Sequence, residues 1–223
     1  MSVYVIIFFL VSVFWVFFFD KIFSSSSNTK KLSIWLAFWG GVLSGPIAGT
    51  ISYTIQKNFL ESGGLSDYVS DFLLYFFIVG PIEEFSKFLI AIIVTLKTQM
   101  IQRYVDGMLL AVIVAIGFAA GENILYLIKF GPELTWLRLI LGNLGHAAYA
   151  IFWGYAIGVV FTQAAPGSLL VIGLLLSSFL HGAYDYFLTF NLTGLIIALT
   201  FSLVMFVFLF WFIRFENKQL KKK

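Results

Sequence analysis

The residues able to do chemistry in this chain fall into four short clusters set in otherwise apolar runs. They are Glu83-Glu84-x-x-Lys87, Glu122-Asn123, Asn143 with His146, and His181-x-x-Tyr184-Asp185. Carboxylates and imidazoles together support two routes to hydrolysis. In one, a carboxylate takes a proton from water while histidines hold the water and stabilise the oxyanion. In the other, two or three of these side chains bind a divalent metal that lowers the pKa of its water. No His-Glu-x-x-His run occurs, so a metal site would have to be assembled from separate helices. Cysteine is absent, which excludes thiol catalysis and thiolate ligands. A catalytic pair of aspartates is excluded too, because Asp185 alone among them sits deep in an apolar run.

The elements that must position these groups are membrane-spanning helices. Of the 223 residues 61% are hydrophobic and 11% charged, against about 25% charged in soluble domains. Mean hydropathy is +0.98. The apolar runs are far too long for the alternating strands of a porin-like barrel. The composition therefore predicts an all-α integral membrane protein, a bundle of about seven transmembrane helices forming one domain over 1–223. The spans read 2–19, 32–56, 67–96, 107–128, 135–162, 168–190 and 192–213. A catalytic core occupies about 67–190, and 2–19, 32–56 and 192–213 are peripheral. The polar stretches 24–28 and 61–64 read as loops. Gly41, Gly45 and Gly49, like Ala150, Gly154 and Gly158, repeat every fourth residue, a spacing that lets neighbouring helices approach closely.

Lys and Arg set the expected orientation. With the N-terminus outside and the C-terminus cytoplasmic, ten lie in inside segments and three, Lys57, Lys129 and Arg138, in outside ones. The first span reads as a retained anchor rather than a cleaved signal, since no basic residue precedes it.

Three ionisable groups within residues 83–87 would cost about 5–10 kcal/mol at a bilayer centre if uncompensated. At about 100° per residue they share one face, so all three can point into the bundle. A Glu–Lys brace would account for Glu83 and Lys87 but leaves the second glutamate unexplained. His181 and Asp185, four apart, share a face, so the carboxylate is placed to orient the ring. Depth adds a further constraint. Glu83 is mid-span, Glu122 and His181 lie about two-thirds of the way outward, and His146 lies inward from Arg138. Four helices thus bring polar groups to one slab at the midplane or outer half, as a single site requires and independent braces do not.

At these residues the chain resembles the PrsW family of intramembrane proteases, relatives of the CAAX prenyl endopeptidases. The family pattern is Glu-Glu-x-x-Lys, then Phe-x-x-x-Glu-Asn, a separate His, and His-x-x-Tyr-Asp, each on its own membrane helix. Here these are Glu83, Glu84 and Lys87; Phe118, Glu122 and Asn123; His146; and His181, Tyr184 and Asp185. The resemblance implies an endopeptidase that cleaves a membrane-anchored protein within or near the lipid bilayer and has no nucleic-acid partner. It implies catalytic roles for Glu83, Glu84, Glu122, His146, His181 and Asp185, supported by Lys87, Asn123 and Tyr184; Asn143, three residues before His146 on the same helix face, joins the supporting set by its spacing. Glu83 or Glu84 would activate water, with His181 and His146 assisting. Where the prenyl endopeptidases have a histidine this chain has Glu122, and where they have an asparagine it has Asp185. Their glutamate chemistry maps onto Glu83 and His181 without a metal. If a divalent metal such as zinc takes part, Glu122, His146 and His181 are its candidate ligands. Two other classes fit the same cluster: a proton- or cation-coupled transporter, and a non-catalytic receptor or immunity-type protein that keeps the cluster as a brace. The paired broken helices of repeat-built transporters are not evident.

Overall fold

The computed structural model describes residues 2–23, 31–60 and 66–220. The expected loops at 24–28 and 61–64 lie outside the described residues. The described residues contain no strand. This is what a chain of this composition must do, because a lipid-exposed backbone needs all its hydrogen bonds met within one segment. In chain order the helices are α1 (Ser2–Phe23), α2 (Lys31–Ile55), α3 (Asp67–Leu74), α4 (Gly80–Thr98), α5 (Tyr104–Phe130), α6 (Pro132–Gln163), α7 (Ser168–Leu188) and α8 (Asn191–Leu220). A π turn at Tyr75–Val79 joins α3 to α4 without a break, so the two form one rod. The expected single span at 67–96 is that rod, with the widened turn just before Pro81. Seven rods result. Six helices are long and apolar enough to cross a membrane, and the rod carrying Glu83, Glu84 and Lys87 is the seventh.

The fold is centred on α5, which packs against α1, α2, α4 and α6. Residues from Val105 to Gly121 are all buried in it, on every face of the helix. A helix apolar all round belongs in the interior of a bundle. Small residues bring its neighbours close. A Cβ at Gly41 would collide with the backbone of α5 at Val114 and Phe118, and one at Gly117 would collide with Phe38 of α2. The expected packing of Gly41 and Gly45 inside the molecule is therefore present, while Gly49 meets nothing within 4 Å. The α5–α6 contact uses Gly107, Gly154 and Gly158 in the same way.

Short connections make sequential helices antiparallel. Between α5 and α6 stands Gly131, with φ +78°, and Pro132 opens the next helix where its missing N–H costs nothing. At the other end of the bundle Asp106 fixes the start of α5, accepting the Arg103 backbone N–H at 2.8 Å and pairing with Arg103 Nη2 at 2.9 Å. These two devices set the register in which α4, α5, α6 and α7 present their polar groups.

Candidate active site

The four clusters meet between α4, α5, α6 and α7. On α4, Glu83 is 5% exposed and Glu84 and Lys87 are 0% exposed, so all three turn inward. The α4 segment can reach α7 because their backbones touch. A Cβ on Gly80 would meet the Ser178 carbonyl oxygen at 2.5 Å, and one on Gly182 would meet that of Tyr75 at 2.5 Å.

Glu84 is fully engaged. Its Oε1 accepts from Lys87 Nζ at 2.8 Å and from His181 Nδ1 at 2.9 Å, and its Oε2 accepts from the Trp153 indole N–H at 2.8 Å. A carboxylate there makes Nδ1 a protonated nitrogen of His181, donating to Glu84, and leaves Nε2 on the opposite side of the ring. That Nε2 faces Asp185 Oδ2 at 3.3 Å and Glu83 Oε2 at 3.5 Å. The carboxylate that orients the His181 ring is thus Glu84 from another helix, and Asp185 stands at the opposite, working nitrogen. Glu83 Oε2 is buried and has no hydrogen-bond partner among the described residues; Lys87 Nζ is 3.7 Å away.

The second histidine is backed in the same way. His146 Nε2 lies 3.1 Å from Glu122 Oε2, and its Nδ1 lies 3.0 Å from Lys87 Nζ. An ammonium has only donors, so Nδ1 accepts and Nε2–H donates to Glu122. Arg138 Nη2 grips the other oxygen of Glu122 at 2.5 Å, with its guanidinium carbon 3.8 Å from the Tyr126 ring centre. The His146 and His181 rings meet edge to face, 4.9 Å apart. Lys87 Nζ also sits 4.1 Å from the centre of the Phe118 ring, which gives the Phe of the Phe-x-x-x-Glu-Asn pattern a cation-binding role.

Of the expected site residues, Glu83, Glu84, Lys87, Glu122, His146, His181 and Asp185 come together. Tyr184 lines the same region, its ring 5.9 Å from that of Tyr149, which stacks on His181 at 5.7 Å. Asn143 is turned to its own helix, donating to the Leu139 carbonyl at 2.5 Å, and its Oδ1 is buried without a partner among the described residues, as is Nδ2 of Asn123. Two members had been missed. Arg138, which the orientation count assigns to the outside, is part of the cluster, and Trp153 is a second member absent from the expected set. Both leave a signal in the sequence. Four carboxylates against one lysine demand another cation, and a tryptophan seven residues from His146 shares its helix face and needs an acceptor when buried.

Glu83, His146 and His181 each offer a ligand atom, all within 4.8 Å of one another. This trio differs from the expected Glu122, His146 and His181: both oxygens of Glu122 are occupied by Arg138 and His146, and Nδ1 of His146, which faces Lys87 Nζ at 3.0 Å, would be open to a metal only with the ammonium turned aside. The donor set fits a divalent metal on three counts. Glu83 has an unpartnered buried oxygen, and each histidine has a carboxylate behind it, the usual support of a ligating imidazole. In addition, Glu83, Glu84, Glu122 and Asp185 outnumber Lys87 and Arg138 by two formal charges.

The family model described as PrsW family intramembrane metalloprotease matches residues 28–213. Among curated proteins named Protease PrsW, that of Shouchella clausii (strain KSM-K16) is 34% identical over 142 residues, 63% of this chain and 64% of that protein. That of Bacillus subtilis (strain 168) is 34% identical over 152 residues, 67% of this chain and 66% of that protein. That of Clostridioides difficile (strain 630) is 26% identical over 185 residues, 80% and 74% of the two chains. The matched stretch spans 57–66% of the length of the first three relatives. No solved structure matches.

Proposed function

Since this chain belongs to the PrsW family of intramembrane metalloproteases, we propose that it hydrolyses a peptide bond of a membrane-anchored protein at the site between Glu83 and His181. One observation carries the reading: a buried Glu83 oxygen without a hydrogen-bond partner among the described residues stands 3.5 Å from Nε2 of His181, whose ring is held by Glu84 at Nδ1. Membership in this family sets it ahead of coupled transport.

Glu83 is the base that takes the proton of the attacking water, and His181 Nε2 holds that water beside it. Glu84 acts as the fixed anchor, since its oxygens are spent on Lys87, His181 and Trp153. Lys87 offsets the charge that collects on α4, and His146 faces the same space from α6. Asp185, at His181 Nε2, is placed to hold the leaving amine or the imidazolium that forms. Glu83, His146 and His181 would hold a divalent metal such as zinc, which when bound would polarise the scissile carbonyl and acidify water.

Exposure indicates where substrate reaches the site. Glu84, Lys87 and His181 have side chains 0–2% exposed, whereas Glu122, Asp185 and Arg138 reach 14–17%. Those three lie toward the α5–α6 and α7–α8 turns. Asp185 stands one helical turn from Leu188, while Lys87 is three turns from Thr98. With Arg138 drawn into the site, the Lys/Arg bias becomes ten inside against two outside, and this open end faces the cell exterior, with the C-terminus cytoplasmic. The supporting unit is the whole chain as one domain, with 67–190 as the catalytic part.

The test is cleavage of a single-span substrate protein by the purified protein in detergent, with metal content measured alongside. Cleavage is expected to vanish with Glu83→Gln and His181→Ala, to fall with a chelator and to return with a divalent cation. Cleavage undiminished in both variants would refute the assignment, and indifference to the chelator with no bound metal would restrict the chemistry to carboxylate-activated water.

A further inference from the structure

The arrangement on α6 assigns a role to a residue outside the family pattern. Arg138, His146 and Trp153 all fall within an 80° arc of α6 at 100° per residue. Two of them hold carboxylates on other helices: Trp153 donates to Glu84, and Arg138 pairs with Glu122. Glu84 and Glu122 in turn are the hydrogen-bond partners of His181 and His146. The site is therefore built from two carboxylate–histidine pairs, each tied down from α6.

The two ties differ in what they leave free. Glu84 keeps Lys87 and His181 as partners if Trp153 is lost. Glu122 has Arg138 on Oε1 and His146 on Oε2. Without the guanidinium the carboxylate keeps a single partner, itself a ring that can turn over. The Tyr126 ring beneath the guanidinium and its partial burial hold Arg138 in one place. A bidentate-capable fork fixed on an aromatic face suits this better than a lysine, whose ammonium is a rotating point charge.

We propose that Arg138 is a positioning residue of the hydrolytic site: by gripping Oε1 of Glu122 it leaves Oε2 to accept the Nε2–H of His146, and so turns Nδ1 of that ring toward Lys87 and the space before Glu83. This rests on the hydrolytic reading above for its functional consequence but not for its structural one. Outer partners of this kind, when removed, cost about 10–100-fold in activity or metal affinity. Arg138 does not touch the reacting atoms, so its loss acts on kcat and leaves KM nearly unchanged.

The experiment combines kinetics with a direct reading of the ring. The chain has two histidines, so long-range proton–nitrogen NMR of histidine-labelled protein in detergent reports both tautomers. In the wild type His146 is expected as the Nε2–H form and His181 with a proton on Nδ1. Arg138→Ala is expected to give mixed tautomers at His146 alone and about a 10–100-fold fall in kcat with KM within twofold. Arg138→Lys is expected to fall between the two in both readouts, and it carries the same test if the alanine variant does not fold. An unchanged His146 tautomer, or wild-type kcat, in a folded Arg138 variant would overturn the proposal. If the wild type cleaves no substrate offered, the hydrolytic reading fails while the tautomer comparison still decides the role of Arg138 in orienting His146.

Discussion

Glu83 and Glu84 are chemically identical neighbours, yet the structure separates them, and exchanging each for glutamine measures the separation. Glu84 accepts three hydrogen bonds, from Lys87 at 2.8 Å, His181 at 2.9 Å and Trp153 at 2.8 Å, in a place sealed from solvent. Glutamine there offers an amide N–H₂ against at least one of these donors and removes the charge that compensates Lys87. Breaking a buried pair by removing one partner costs about 3–5 kcal/mol. For a chain of this size about 2–4 °C accompanies each kcal/mol, so Glu84→Gln should lower the unfolding midpoint by about 6–20 °C. Glu83 has no hydrogen bond at Oε2, and Lys87 stays paired with Glu84 when it changes. Its exchange should cost less than about 1 kcal/mol, within the range of changes that break no buried contact. The assay is thermal unfolding in one detergent, followed by tryptophan fluorescence, beside cleavage of a single-span substrate. Glu83→Gln should be folded and inactive, and Glu84→Gln unstable and inactive. Equal midpoints for the two variants would refute the division into base and anchor.

Close helix contact predicts opposite outcomes for two glycines of α2. Gly41→Ala should destabilise by about 1–3 kcal/mol, since its Cβ would enter the α5 backbone at Val114, whereas Gly49→Ala, with nothing within 4 Å, should stabilise by about 0.5–1 kcal/mol; thermal unfolding of both decides it. Orientation is checked in this cysteine-free chain with single cysteines at the exposed positions Gln102 and Lys129. An impermeant thiol reagent applied to whole cells should label Lys129→Cys and spare Gln102→Cys, and the reverse pattern would invert the topology.

Much of the fold was legible because lipid imposes a simple code. The apolar runs locate every helix, although the helices overrun them at several ends: 192–213 becomes Asn191–Leu220, and 107–128 becomes Tyr104–Phe130. A helix stops where its backbone is capped or broken, not where its side chains become polar. Periodicity also placed Glu83, Glu84 and Lys87 on one inward face. It reports which way a side chain points, however, and not what it meets. The choice of Glu84 over Asp185 behind His181 goes with the close backbone approach of Gly80 to Ser178 and Gly182, which no spacing within one helix reveals. Arg138 was misplaced for a related reason. It lies near the outer end of the expected span 135–162 and so falls into the outside count, but its side chain turns back to Glu122 rather than out of the bundle.

The pairing of charges also bears on how such a protein is made. Glu84 and Lys87 lie one turn apart on a single helix, while Glu122 and Arg138 lie on the two arms of a hairpin closed at Gly131. An isolated charge handed to lipid costs about 2.5–3.5 kcal/mol on insertion scales, yet each of these meets its opposite within the piece of chain being inserted. The translocation machinery is thereby presented with segments already neutral at those pairs. The bonds from Lys87 to His146, Glu84 to Trp153 and Glu84 to His181 cross 59–97 residues and form afterwards, among helices resident in the bilayer. Biosynthesis and reactivity are kept apart in time, because the nascent chain holds no assembled cluster until α7, emerging long after α4, docks beside it.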